Sequence, residues 1–422
     1  MKTQAVRIYG KQDLRLETFE LPPMRDDEIL AKVITDSICM SSYKAAMQGA
    51  DHKRVPDDVA DNPTIIGHEF AGEIVAVGKK WQDKFFRGMK FSVQPALNYK
   101  DSLNAPGYSY RYIGGDATTI LIPREVMEMD CLLPYEGPGF FPASLAEPFS
   151  CVLGAFHASY HIPPGTYHHD MGIRQGGNLA LLAAAGPMGL AAINFAIHQP
   201  RKPSVMVVTD IDQARLDRAA TLFPPGIAAE QGIKLHYVNT ADVDDPEKTL
   251  KALTGGKGYD DVFVFAPVAA IIEIADSLLR RDGCLNFFAG PPDPDFSARL
   301  NFYNVHYEGT HITGTSGGNN KDMAEALQMF SEGLDPSGLI THIGGLDAVI
   351  PTTLHLPDIP GGKKLIYTHL SLPLTAIEDF AGKGREDPLF AKLDEITRRH
   401  NGLWSVEAEE YLLAHGPRMN VG

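Results

Sequence analysis

Three side chains of different hardness could serve one metal ion: Cys39, in Asp36-Ser-Ile-Cys-Met-Ser-Ser42, and His68 with Glu69, in Gly67-His-Glu-Phe70. A thiolate, an imidazole and a carboxylate form a donor set suited to zinc, and three protein ligands leave a fourth position for water or substrate. An open site of this kind is catalytic, because a bound alcohol loses its proton more readily and a bound carbonyl is polarised toward hydride attack. Each residue alone has a plainer reading, Cys39 as a small buried hydrophobe and His68 as a core or turn histidine. Spacing along the chain does not by itself bring them together.

A second constellation suits a dinucleotide. Ala180-Leu-Leu-Ala-Ala-Ala-Gly186-Pro187-Met188-Gly189-Leu190 reads as a buried strand turning sharply into a helix. Glycines there let the backbone approach a pyrophosphate, and the helix N-terminal amides stabilise its charge. Aligned as G-x-G-x-x-G, the first position is Ala184, so Gly186 and Gly189 carry the fingerprint. Pro187 in the first helical turn costs no hydrogen bond. Asp210 closes the next strand, 21 residues beyond Gly189, where a carboxylate could accept from both ribose hydroxyls. It favours NAD(H) by repelling a 2′-phosphate, while Thr209 and Arg215 leave room for NADP(H). The expected cofactor-binding residues are Gly186, Pro187, Met188, Gly189, Asp210 and Arg215.

The elements that must position these groups divide the chain. Residues 1 to about 125 read as short strands separated by turns, such as those at 28–34 and 73–77, which suggests an irregular barrel-like unit. After Gly176-Gly177-Asn178, apolar runs at 179–184, 205–209, 262–265 and 285–288 alternate with helical patterns at 188–198, 212–222 and 270–279. That alternation predicts a parallel, doubly wound sheet covered on both faces. Further on, a helix is expected at 320–332, a strand at 364–367, and two more helices at 387–400 and 406–415 that look like an appendage.

Bulk properties narrow the class. With 422 residues, 44% hydrophobic and 22% charged, the chain has an ordinary globular composition and room for two or three domains. A formal charge of −15 argues against a nucleic-acid partner. Without a continuous apolar segment at the N-terminus or an 18-residue apolar stretch elsewhere, no membrane partner is expected and a cytoplasmic location is the default. Cys39, Cys131, Cys151 and Cys284 are too scattered for a disulfide framework and are expected to be free thiols or ligands.

Cys39 with Ser41, the Gly-His-Glu run, Glu147-Pro148-Phe-Ser-Cys151 and Ala-Gly186-Pro-Met-Gly189-Leu together resemble the zinc-containing medium-chain dehydrogenase/reductase family, nearest its polyol dehydrogenase branch. The similarity spans about residues 1–370. It implies an α/β fold: a strand-rich GroES-like catalytic domain over 1–160 and a Rossmann doubly wound parallel sheet over 161–317. Residues 318–422 would then return to the catalytic domain and add a C-terminal helical extension. The resemblance further implies that Cys39 and His68 ligate zinc directly, with Glu69 either binding or exchanging through water. Glu147 would be an alternative ligand or acid/base group, and Ser41 the hydroxyl that passes the substrate proton toward solvent. The four-cysteine lobe for a structural zinc is missing, since residues 92–118 contain no cysteine, so one zinc per subunit is expected. Family members are usually dimers or tetramers, and a homo-oligomer is expected by that likeness.

Further segments, among them 43–58, 286–291, 301–307 and 361–367, resemble the branch's reductases of sugar phosphates, which interconvert L-sorbose 1-phosphate and D-glucitol 6-phosphate. A phosphate dianion needs charge-assisted donors. Lys44 is the first candidate because it follows Cys39 by five residues; Lys363, Lys364 and Arg111 are others. Two competing readings remain: a dehydrogenase of unphosphorylated polyols or amino alcohols, and a nucleotide-binding protein without turnover.

Overall fold

The computed structural model describes residues 1–291 and 293–419. They form two compact units, one built from residues 1–147 with 319 onward, the other from 148–318. The first boundary falls between Glu147 and Pro148, upstream of the expected 160. It is invisible in composition because the helix Ala146–Ala158 runs straight through it.

In the discontinuous unit the strand Ile29–Ile38 is the organising element. It pairs antiparallel with Phe70–Val77 on one side and with Lys363–Tyr367 on the other, inside an eight-stranded sheet. Ile29, Ala31 and Val33 are buried while Lys32 is exposed, the period-two pattern of a half-covered strand. Gly72 faces Lys32 so closely that a Cβ there would stand 1.9 Å from the Lys32 carbonyl oxygen, so glycine is obligatory. Ile29, Val33, Phe70, Ile74 and Phe91 anchor the core under this sheet. The pairings bring Cys39, just past the first strand, His68 and Glu69, just before the second, and Lys363, opening the third, to one end of the sheet.

The last helices, expected as an appendage, are integral to this unit. Glu409, on the helix Val406–His415, has no exposed surface. It accepts hydrogen bonds from the backbone amides of Phe140 (2.6 Å) and Phe141 (2.9 Å) and from the Tyr367 hydroxyl (3.0 Å). Trp404 Nε1 donates to the same hydroxyl at 2.8 Å. The extension therefore ties the loop leading toward Glu147 to the strand that begins with Lys363.

The contiguous unit carries six parallel strands in the spatial order Lys234–Asn239, Val205–Asp210, Asn178–Leu182, Tyr259–Val264, Leu279–Phe287, His311–Thr313. This is the dinucleotide-fold order, with the first strand central and the chain reversing beside it. The strands at 234–239 and 311–313 were not expected. The first is half exposed and begins with Lys-Leu-His, and the second is only three residues long, so neither shows the apolar run of a covered strand. No helix among the described residues is long and apolar enough to cross a membrane.

Candidate active site

The Cys39 sulfur, a His68 ring nitrogen and a Glu69 carboxylate oxygen lie within 4.8 Å of one another, so the three residues proposed from sequence do meet. Cys39 is the N-cap of the helix Met40–Gln48, where the helix dipole favours a thiolate, and the Ser41 amide donates to its sulfur. Burial first, then the Glu69 charge, push the Cys39 thiol up to about 12. A bound dication is what makes such a group a thiolate at neutral pH.

His68 lies between two hydroxyls, with Ser42 Oγ 3.2 Å from Nδ1 and Tyr108 Oη 3.2 Å from Nε2. Burial pushes its pKa down to about 4, which keeps the imidazole neutral and fit to ligate. One of these hydroxyls can fix the imidazole while the other yields its ring nitrogen to a metal.

Glu69 is buried and charged. Lys363 Nζ donates to both of its oxygens at 2.6 Å, and Ser37 Oγ donates to Oε2. Burial alone would raise the Glu69 pKa, but Lys363 and His68 outweigh it and hold the carboxyl below its ordinary value. Its neighbour Asp36, which accepts from the Glu69 amide, is pushed well up by burial and by Asp116 and Glu69. One carboxylate carries the charge while the other stays protonated. Of four lone-pair directions on Glu69, the lysine and Ser37 take three, so one on Oε1 is left for a metal. The donor set thus fits zinc, with Cys39, His68 and one oxygen of Glu69 able to hold it.

Glu147 lies in the first turn of its helix, half-buried, and its charge acts on Cys39, Lys363 and Tyr108. Ser41 and Lys44 occupy the first and second turns after Cys39, both half-buried. Two of the lysines considered for phosphate are already engaged. Lys363 holds Glu69, and Lys364 donates to the carbonyls of Ile359, Pro360 and Gly362 at 2.8–3.0 Å. Adjacent residues of a strand face opposite ways, so one lysine serves the metal cluster and the other staples its own loop. The partnership of Lys363 with Glu69 spans 294 residues and carries no local sequence signal. Tyr108 and Ser42 were missed for the same reason.

In the contiguous unit, Gly186, Pro187, Met188, Gly189, Asp210 and Arg215 all line one cavity of about 600 Å³. A Cβ on Gly189 would stand 1.9 Å from the Ala184 carbonyl oxygen, whereas one on Gly186 would meet nothing. Gly189 is therefore a packing requirement of the helix, and Gly186 leaves open space at the turn. The left-handed residue of the turn is Ala183 (φ 55°), which costs about 1–2 kcal/mol for a residue with a Cβ. The Asp210 carboxylate is more committed than expected. Oδ2 accepts from the Ala185 amide at 3.1 Å, and Oδ1 accepts from Ile211 and Asp212 at 2.9 and 3.2 Å. It orders the turn and retains one lone-pair direction for a ribose hydroxyl, not the two oxygens expected.

Residues 25–127 match the family model described as alcohol dehydrogenase GroES-like domain, and residues 187–332 match zinc-binding dehydrogenase. The chain is 53% identical to mannitol-1-phosphate 5-dehydrogenase of Aliivibrio fischeri, over 98% of this chain and 97% of that one. It is also 53% identical to L-sorbose 1-phosphate reductase of Klebsiella pneumoniae, over 98% of each chain. Among solved structures, 2R,3R-butanediol dehydrogenase from Bacillus subtilis superposes with a TM-score of 0.69 at 19% identity, covering 86% of this chain and 99% of its own, a likeness of fold.

Proposed function

Since the chain belongs to the zinc-dependent medium-chain dehydrogenase family, we propose that it interconverts a phosphorylated ketose and the matching alditol phosphate, with NAD(P)(H) as hydride carrier. The observation that carries this reading is 53% identity, over nearly the whole chain, to two enzymes named for sugar or hexitol phosphates. Zinc supplies a Lewis acid for the reacting oxygen, and the nicotinamide supplies or accepts the hydride.

The chain's own residues do the rest. Cys39, His68 and Glu69 hold the metal, and Lys363 fixes Glu69 so that only one oxygen is offered. Glu147 stands by as an alternative ligand or acid/base group. Ser41, half-buried in the helix turn beside Cys39, passes the substrate proton toward solvent. Gly186, Pro187, Met188 and Gly189 receive the pyrophosphate, with Asp210 and Arg215 at the ribose end.

We place the enzyme in the cytoplasm, where its four free cysteines stay reduced. We further propose a homo-oligomer, for which exposed Phe302, Tyr303 and Tyr307, in the segment leading to the short strand His311–Thr313, are suited contacts.

The test is NADH and NADPH oxidation in parallel with L-sorbose 1-phosphate, D-fructose 6-phosphate and free L-sorbose. Turnover confined to phosphorylated substrates supports the reading. Equal kcat/KM for free and phosphorylated sugars would overturn it in favour of an ordinary polyol dehydrogenase.

A further inference from the structure

Next to the metal cluster the chain gathers unpaired positive charge. Residues 44–54 contain Lys44, Lys53 and Arg54 against a single acid, Asp51, which pairs with Lys11. Among the described residues no carboxylate forms an ion pair with any of these three cations, although the chain carries a net charge of −15. With 53 acidic residues available, an uncompensated group of cations points to an anion brought in from outside.

This group is wired to the ligating histidine. The His52 ring stacks on Tyr108, centroids 5.6 Å apart and 9° from parallel, and Tyr108 in turn lies 4.8 Å from the His68 ring. The Arg54 amide donates to His52 Nδ1 at 3.3 Å, so the ring proton sits on Nε2 as a donor. Burial first, then Arg54, Lys53 and Lys44, hold the His52 pKa below its ordinary value, which keeps the ring neutral.

Arg54 is anchored twice, by Ser109 Oγ donating to its carbonyl at 2.6 Å and by Nη1 donating to the Leu103 carbonyl at 2.9 Å. The remaining guanidinium donors have no partner among the hydrogen bonds of the described residues. Lys44, on the helix that starts at Cys39, is half-buried, as are His52 and Arg54. Arg54 is thus held in place but not consumed, and with Lys44 and His52 it has the chemistry to suit a doubly charged oxyanion.

We infer that Lys44, His52 and Arg54 form the subsite for the phosphoryl group of the substrate, with Lys53 adding long-range attraction. The inference rests on the sugar-phosphate reading above and names the residues that would select such substrates over free polyols. It extends the role of Lys44 to a site whose other members lie up to ten positions further on, and Lys44 and Arg54 share His52 as the group on which both charges act.

The test compares zinc-loaded wild type with Arg54→Gln and Lys44→Gln, using L-sorbose 1-phosphate, D-fructose 6-phosphate and free L-sorbose as substrates and inorganic phosphate as competitive inhibitor. Each lost charge-assisted bond corresponds to roughly tenfold or more in binding. KM for the phosphorylated substrate is expected to rise at least about tenfold, with kcat within about threefold and a matching rise in the phosphate inhibition constant. Two variants keep the result readable if Arg54→Gln loosens the 103–109 loop. Unchanged KM and unchanged phosphate inhibition in both would overturn the subsite. Wild type that fails to prefer phosphorylated substrates overturns the functional reading itself. Wild type that prefers them, alongside variants that keep the preference, overturns only this assignment.

Discussion

Lys363 and Glu69, 294 residues apart, form a buried ion pair in which one ammonium holds both oxygens of the carboxylate at 2.6 Å. Burial alone would lower the lysine's pKa, yet the Glu69 charge raises it above its ordinary value, so the pair stays ionised. The pair sets the charge state of the metal cluster from behind, and it makes removal of either partner costly.

Lys363→Met leaves Glu69 as an uncompensated buried charge and is expected to destabilise the protein by about 3–5 kcal/mol in urea unfolding. The double variant Lys363→Met with Glu69→Gln should recover much of that loss. A single variant as stable as wild type would show that the pair does not hold the cluster.

Cys39→Ser and His68→Ala should each lower bound zinc from about one per chain to a small fraction, with activity falling in step, as elemental analysis and turnover would show. Prolonged chelation of the wild type should do the same, and zinc alone should restore it. Full activity in a protein stripped of zinc would remove the metal from the mechanism.

Gly189→Ala places a Cβ 1.9 Å from the Ala184 carbonyl oxygen, which the helix cannot accept without shifting. Dinucleotide affinity should fall by tenfold or more while zinc content stays near wild type, because Gly189 belongs to the other unit. Asp210→Asn should weaken NADH binding more than NADPH binding, since it removes a charge that repels the 2′-phosphate. A dinucleotide titration by fluorescence reads both, and unaltered binding in either variant counts against the cavity assignment.

Glu409 gives a pH dependence of defined sign. Burial pushes its pKa from 4.5 up to about 7 despite three donors, and Lys90 is the nearby cation that partly offsets it. A raised folded-state pKa means that the folded state binds the extra proton. Stability from this group is therefore full below about pH 4.5 and is lost as pH climbs through about 7. The stability of wild type relative to Glu409→Gln should decline between pH 5 and 8 by on the order of 3 kcal/mol. A difference that stays flat across this range would show that Glu409 is already ionised when buried.

The sequence made the sheet of the contiguous unit legible because its strands at 178–182, 205–210 and 259–264 are covered on both faces and carry the apolar stretches 179–182, 205–208 and 262–264. Cys39, His68 and Glu69 could be read because zinc demands particular atoms. Their partners could not. Lys363, Ser42 and Tyr108 act through contacts that only the fold sets up, and lysine, serine and tyrosine are common enough that nothing marks these copies. Asp210 was recognised as an acid at a strand end, but its service to three backbone amides is decided by the turn's conformation. The C-terminal helices, beyond the span of the family resemblance, looked detachable, yet one buried carboxylate binds them to two distant segments.

The tie made by Glu409 also has a consequence for the order of synthesis. The unit at 148–318 is contiguous, and its six-stranded sheet draws on no other part of the chain, so it can close as soon as its own residues have emerged. The unit that carries the metal ligands begins first but finishes last. Cys39, His68 and Glu69 are made early, the lysine that neutralises Glu69 comes 294 residues later, and the loop at 140–141 gains its acceptor only when residue 409 is in place. A chain stopped short of its final helix would hold every metal ligand and still lack the clasp that finishes their unit.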